Sequence, residues 1–161
     1  MSHLATIHTA RGIAAYLRTI NPALVPARQI VSGISRGYQV SASSEEQDAS
    51  VPLPRIVVHS PTAPQLAHLT GSWRPSVTVE LHESADDTSE VAHLTRADAL
   101  MDALMDTELA ALITSAAASV DHIIPLTVQL AVVESESSEV RDRRFIFTVN
   151  LTLDVVCRAI S

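Results

Sequence analysis

An α+β fold is what the sequence predicts: a mostly antiparallel four-stranded sheet, helices packed on one face, and a long C-terminal β-hairpin. Three observations carry the prediction. Apolar residues in "SHLATIHTARGIAAYLRTI" recur every three to four positions, whereas those in "SVTVELH" and in the last third of the chain alternate with period two. The elements then follow as helix, loop, strand, strand, helix, strand, strand, without the βα alternation of a parallel sheet. The 161 residues, 47% of them apolar, suit one domain with a real core over 1–161. Aromatics make up only 3%, so that core is aliphatic.

In the first helix, Leu4, Ile7, Ala10, Ala14, Leu17 and Ile20 form the apolar stripe, with Ser2 as its N-cap. Pro22 restricts the residue before it and ends the helix, while Gly12 weakens it enough to require packing support. An extended arm at about 32–54 follows, closing on the polar, acidic "SASSEEQDASVPLP". "PRIVVHS" (54–60) reads as a short strand and 61–71 as irregular. "SVTVELH" (76–82) reads as a half-buried strand, with Val77, Val79 and Leu81 inward and Thr78, Glu80 and His82 on the other face.

The second helical region is "TRADALMDALMDTELAALI". Thr95 and Asp98 are placed as a capping box, and Ala97, Leu100, Met101, Leu104, Met105 and Leu112 form the inward stripe. Thr107 offers a second start, so a break is expected around Asp106. "IPLTVQLAVV" and "RFIFTVNLTLDVVC" alternate and are predicted to pair around the hydrophilic connection "ESESSEVRDR" (134–143). Inward residues are even-numbered in the first strand and odd-numbered in the second. Facing partners must therefore sum to an odd number, through an even-length turn such as Ser138-Glu139. The second of these strands, about 13 residues or roughly 43 Å at ~3.3 Å per residue, is long for one core. One end is expected to project toward another chain.

The chemistry-bearing patterns are weak. Gly33-Ile34-Ser35-Arg36-Gly37 matches G-x-S-x-G, the turn that presents a hydrolase nucleophile. That chemistry needs a strand before the serine and a helix after it, yet the continuation "YQVSASSEEQ" carries no helical stripe. His59, His68, His82, His93 and His122 show no metal-ligand spacing and are expected on exposed strand faces or in loops. Cys157, the only cysteine, excludes an internal disulfide and reads as a buried, inert thiol. The four glycines make no phosphate-cradling loop, and the acidic clusters lack spaced cation ligands. No catalytic residue, cofactor or metal is therefore assigned.

The formal net charge of −7 argues against general nucleic-acid binding. No stretch has the pattern of a secretory leader or a membrane span, so a soluble chain in a reducing cytoplasm is expected. The one local basic cluster, Arg141-Asp142-Arg143-Arg144, follows Glu134, Glu136 and Glu139 on the same expected hairpin. Opposite charges are thus expected to face each other across its turn, within or between subunits.

The order of a leading helix, "LPRIVVHS", "WRPSVTVELHE", the "TRADALMDALMDTELAALI" helix and the hairpin "IPLTVQLAVV…RRFIFTVNLTLDVV" resembles tail-terminator or tail-completion (neck) proteins of long-tailed bacteriophages. The resemblance covers roughly residues 3–160 and is one of element order and texture, with no catalytic motif. It implies a virion protein assembled in the host cytoplasm as a homo-oligomeric ring, typically a hexamer. That ring caps the tail tube, contacts the tail-tube and neck or head-completion proteins, and lets DNA pass without binding it specifically. On that basis Arg141, Arg143, Arg144, Glu134, Glu136, Ser35 and Arg36 are candidate subunit or partner contacts, and Glu45, Glu46, Asp86 and Asp87 candidate acidic lumen residues. The segment between the first helix and first strand is longer than that family suggests, which leaves a different neck or head-completion protein open. A small serine hydrolase using Ser35 and a cytosolic homo-oligomeric binding domain are the alternatives of other classes.

Overall fold

The structure, a computed structural model, describes residues 2–20, 24–32, 53–59, 72–84, 89–120, 126–141 and 146–159. Helix α1 spans Ser2–Ile20 and includes Ser2 in its first turn. Its Ala10, Ile13, Ala14 and Leu17 are fully buried, while Ile20 at the end of the stripe is exposed. A single 3-10 turn, Ala27–Gln29, leads into strand β1, Ile30–Ser32. Strand β2 is Arg55–His59, β3 Ser72–Trp73 and β4 Ser76–Ser84. Helices α2 (Glu90–Leu104) and α3 (Leu109–Val120) precede strands β5 (Leu126–Arg141) and β6 (Ile146–Ala159).

The two strands expected in the middle of the chain form where the sequence places them, as β2 and β4, and they pair antiparallel from Arg55↔His82 to His59↔Thr78. Strands β1 and β3 join the same six-stranded sheet. At three and two residues, neither is long enough to display alternation. β1 lies parallel to β2, and every other pairing is antiparallel. Across the sheet the order is β1, β2, β4, β6, β5, with β3 continuing the line of β4 along β6. β4 covers β6 from Ile146 to Asp154 and β3 covers Cys157 and Arg158, so the end expected to project is flanked on both edges.

The aliphatic core lies between one sheet face and the helices. Ile56, Val58, Val77, Val79 and Leu81 meet Ile13 and Leu17 of α1, Leu100 and Leu104 of α2, and Leu109 and Ile113 of α3. A fully buried side chain of this kind contributes about 1.5–3 kcal/mol.

Helix α2 begins earlier than the Thr95 box. Ser89 is the N-cap, with its hydroxyl accepting from the Ala92 amide at 3.1 Å. Thr95 sits one turn inside, its hydroxyl donating back to the Val91 carbonyl at 2.7 Å, so its polar group is spent within the helix. The break near Asp106 is present: α2 is capped at Met105, and the Asp106 carboxylate accepts from the Glu108 amide at 2.8 Å to open α3. Met105, past the end of the helix, is exposed rather than inward.

Strand β5 overturns the 134–143 connection. It continues through Arg141, which places Glu134, Glu136, Glu139 and Arg141 on one strand rather than facing across a turn at Ser138-Glu139. The partner sum is odd at Val128↔Cys157, even at Leu130↔Val156, and odd again from Ser135↔Thr152 to Arg141↔Ile146. Two one-residue shifts in the same sense add up to two, which restores the parity and leaves Gln129 and Glu134 without partners in the ladder.

Candidate assembly surface

Strand β4 is buried on both faces, not half-buried. Its core face is apolar as far as Leu81, and its opposite face carries ionisable groups held in a chain. Arg55 and His82 are register partners. Their neighbours Glu80 and His59 fall on the same face, because cross-strand partners and i, i+2 residues share a side. Arg55 Nε donates to His82 Nδ1 at 3.0 Å, and His82 Nε2 lies 3.0 Å from Glu80 Oε2. An arginine N–H can only donate, so Nδ1 is the acceptor and Nε2 carries the proton toward Glu80. His59 Nε2 stands 3.4 Å from the same carboxylate oxygen.

His82 is 1% exposed and Arg55 4%, so the expectation of histidines on exposed surfaces fails for His82. It fails also for His93, which lies on the buried side of α2, while His59 is half-buried. Burial alone would raise the Glu80 carboxyl. The two imidazoles beside it more than reverse that and hold it well below the usual carboxylate range.

Two imidazole nitrogens and a carboxylate oxygen converge here, which is a ligand set suited to a divalent transition metal. Arg55 works against that use. Coordination through His82 Nε2 would move the remaining proton to Nδ1, directly against the Arg55 N–H. Among the described residues no group of three or more His, Cys, Asp or Glu is arranged to hold a metal ion. The cluster is better suited to cross-linking β2 to β4 than to chemistry.

A second ionic group sits where β4 leaves the core face. Glu83 is 0% exposed and is gripped from α2: Arg96 pairs with Oε1, and His93 Nδ1 meets Oε2 at 2.5 Å. His93 and Arg96 are three apart and so share one side of the helix. Burial pushes the His93 imidazole below its ordinary value, so it serves Glu83 as a neutral donor while Arg96 supplies the charge.

The sheet edges are treated unequally. At the β1 edge, Arg18 of α1 donates through Nε and Nη2 to the Ile30 carbonyl at 3.1 and 2.6 Å. At the β5 edge, Thr114 of α3 accepts from the Val128 amide at 2.9 Å, its own hydroxyl donating to the Ala110 carbonyl at 2.9 Å. Helix side chains thus occupy backbone groups that an incoming strand would use. Among the described residues β5 pairs with β6 alone, and no element is assigned to its other edge beyond the second shift, at Ser135–Arg141.

Of the residues singled out from the sequence as contacts, Glu134, Glu136 and Arg141 are brought together on β5. Ser35, Arg36, Arg143 and Arg144 lie outside the described residues, as do Glu45, Glu46, Asp86 and Asp87. Half-buried Arg96 was not anticipated, nor were the buried groups Arg55, Glu80, His82 and Glu83. Their only sequence signal is that "PRIVVH" and "SVTVELHE" place charged or imidazole residues at the margins of apolar strands.

No family model matches the sequence, and no curated protein matches it. A solved structure does: a chain of the "Virion of native gene transfer agent (GTA) particle" superimposes with a TM-score of 0.58 at 11% identity, over 97% of this chain and 97% of that one. At that identity the likeness is one of fold. Among the described residues, no helix is long and apolar enough to cross a membrane.

Proposed function

We propose that this chain is a structural virion protein of a phage-like particle. Copies of it form a ring that terminates the tail tube and joins it to the head or neck, with DNA passing through the channel. The observation that supports this most is the fold shared end to end with a chain of a gene transfer agent virion. The element order of the sequence, with its long C-terminal hairpin of β5 and β6, points the same way. A net charge of −7 suits a channel that repels the duplex and lets it slide, and Glu45, Glu46, Asp86 and Asp87 are the residues assigned to its wall. The reading assigns no catalytic role, so Ser35 serves in an arm that contacts a neighbour.

Light scattering after size exclusion, with negative-stain imaging of the same fractions, tests the proposal. Rings of uniform diameter are expected. A strict monomer at high concentration refutes it, as does ester turnover abolished by Ser35→Ala. Particles seated on the head side of the neck rather than at tube ends would move the protein to a head-completion role.

A further inference from the structure

We infer that the ring contact is heterologous: the acidic half of β5, Ser135–Arg141, whose outer edge has no strand partner among the described residues, receives the basic β1 edge of the next subunit. The inference rests on the ring reading and names the two surfaces that would meet in it.

Chain direction is the first argument. With β1 and β2 parallel and each later neighbour antiparallel, β5 runs opposite to β1 across the sheet. Subunits repeated in the same orientation therefore bring β5 of one against β1 of the next as an antiparallel pair, the more favourable ladder. The two edges also differ, so their contact is heterologous, the kind that a ring requires and that closes when its rotation divides a full turn. Joining like edges would stop at a dimer.

Charge is the second argument. The β1 edge carries exposed Arg28 on the turn just before Ile30 and exposed Arg18 on the Ile30 carbonyl. The β5 segment carries Glu136 and Glu139, with Glu134 at the shift beside it, against one arginine, Arg141. Such complementarity selects the partner and speeds encounter, while main-chain hydrogen bonds along the strand supply affinity.

The helix caps fix the register. Thr114 holds the Val128 amide and Arg18 the Ile30 carbonyl, so a flush alignment of the two edges is blocked at both positions. The incoming edge is thereby displaced toward the half of β5 past the second shift.

Reciprocal charge reversal tests this on the full chain. Glu136→Arg with Glu139→Arg, and separately Arg28→Glu, are each expected to raise the protein concentration at the assembly midpoint by about tenfold or more. The combination of all three is expected to restore it, and circular dichroism verifies that each variant folds. In a Cys157→Ala background, a flexible bis-maleimide is expected to join an Arg28→Cys subunit to a Ser137→Cys subunit, but not Ser137→Cys subunits to each other. Rings that persist at an unchanged midpoint in the reversed variants overturn the inference and leave the ring reading standing. Self-cross-linking of Ser137→Cys overturns it in favour of like edges. A wild-type chain that is only monomeric overturns the ring reading itself.

Discussion

Removing the half-exposed partner of the Glu83 group is expected to do more harm than removing the buried one. Arg96 is 31% exposed and Glu83 0%. In Glu83→Gln, Arg96 can turn to water and the amide still accepts one hydrogen bond. The loss is then about 2 kcal/mol, one charge-assisted bond. In Arg96→Met, a carboxylate with no access to water keeps only His93. Breaking a buried pair in this way costs about 3–5 kcal/mol, or roughly 6–20 °C in Tm at about 2–4 °C per kcal/mol.

Urea titration followed by far-ultraviolet circular dichroism measures the difference. Emission of Trp73, the only tryptophan and 7% exposed, gives a second probe on the sheet. The pH dependence sharpens the test. In the wild type, burial holds His93 below its ordinary value of 6.5. The unfolded chain therefore takes up the proton first, and stability is lost as pH falls through the window beneath 6.5. Without Arg96, the lone carboxylate raises the folded imidazole above its unfolded value. Stability is then fully present below that unfolded value and lost as pH rises through the folded one. The two proteins are expected to slope in opposite senses around pH 6.5. Equal slopes, or a larger loss in Glu83→Gln than in Arg96→Met, would refute the assignment of charge to Arg96 and of neutrality to His93.

Three further outcomes are expected of single substitutions. Glu80→Gln removes a carboxyl held well below the usual range, whose stabilisation is present above the unfolded value of 4.5 and lost as pH falls beneath it. Acid unfolding monitored by circular dichroism should have a shallower limb in that variant, and an unchanged limb contradicts the pairing with His59 and His82. Thr114→Val keeps the shape but leaves the Val128 amide without its acceptor, at a cost of about 1–3 kcal/mol. Hydrogen exchange at Val128 should quicken, with Thr114→Ser retaining protection. Leu81→Ala, fully buried between the sheet and the helices, should lose about 2–5 kcal/mol in urea denaturation.

Periodicity made α1 and β4 legible in the sequence, because each repeats its pattern over enough residues for one face to declare itself, and the start signal at Thr107 did the same for the split between α2 and α3. The α2 start was misplaced because Thr95-x-x-Asp98 satisfies the capping spacing while Ser89, outside the apolar stripe, is the residue with a free amide to cap. The ionic groups were not legible for a different reason. Alternation in β4 reports that Glu80 and His82 leave the core face, but not whether that other face is wet. What settles their burial is Arg55, 27 positions away, which becomes a neighbour only through strand pairing. Likewise, Glu139 and Arg141 look like opposite arms of a turn until the strand is seen to run through both.

Gln129 and Glu134, the two residues of β5 without partners across the ladder, make the strand unequally tolerant of mutation by length. Deleting either one removes a bulge and leaves every remaining pair with β6 as it was. Deleting Ala131, between them, drags its neighbours onto the wrong face. The strand therefore has two positions at which a codon can be lost without scrambling its faces. Since bulges also add twist, such a loss would straighten the edge at which subunits are proposed to meet. A lineage could in this way alter the curvature of the assembly, and with it the number of copies that close the circle, without altering a single cross-strand partner.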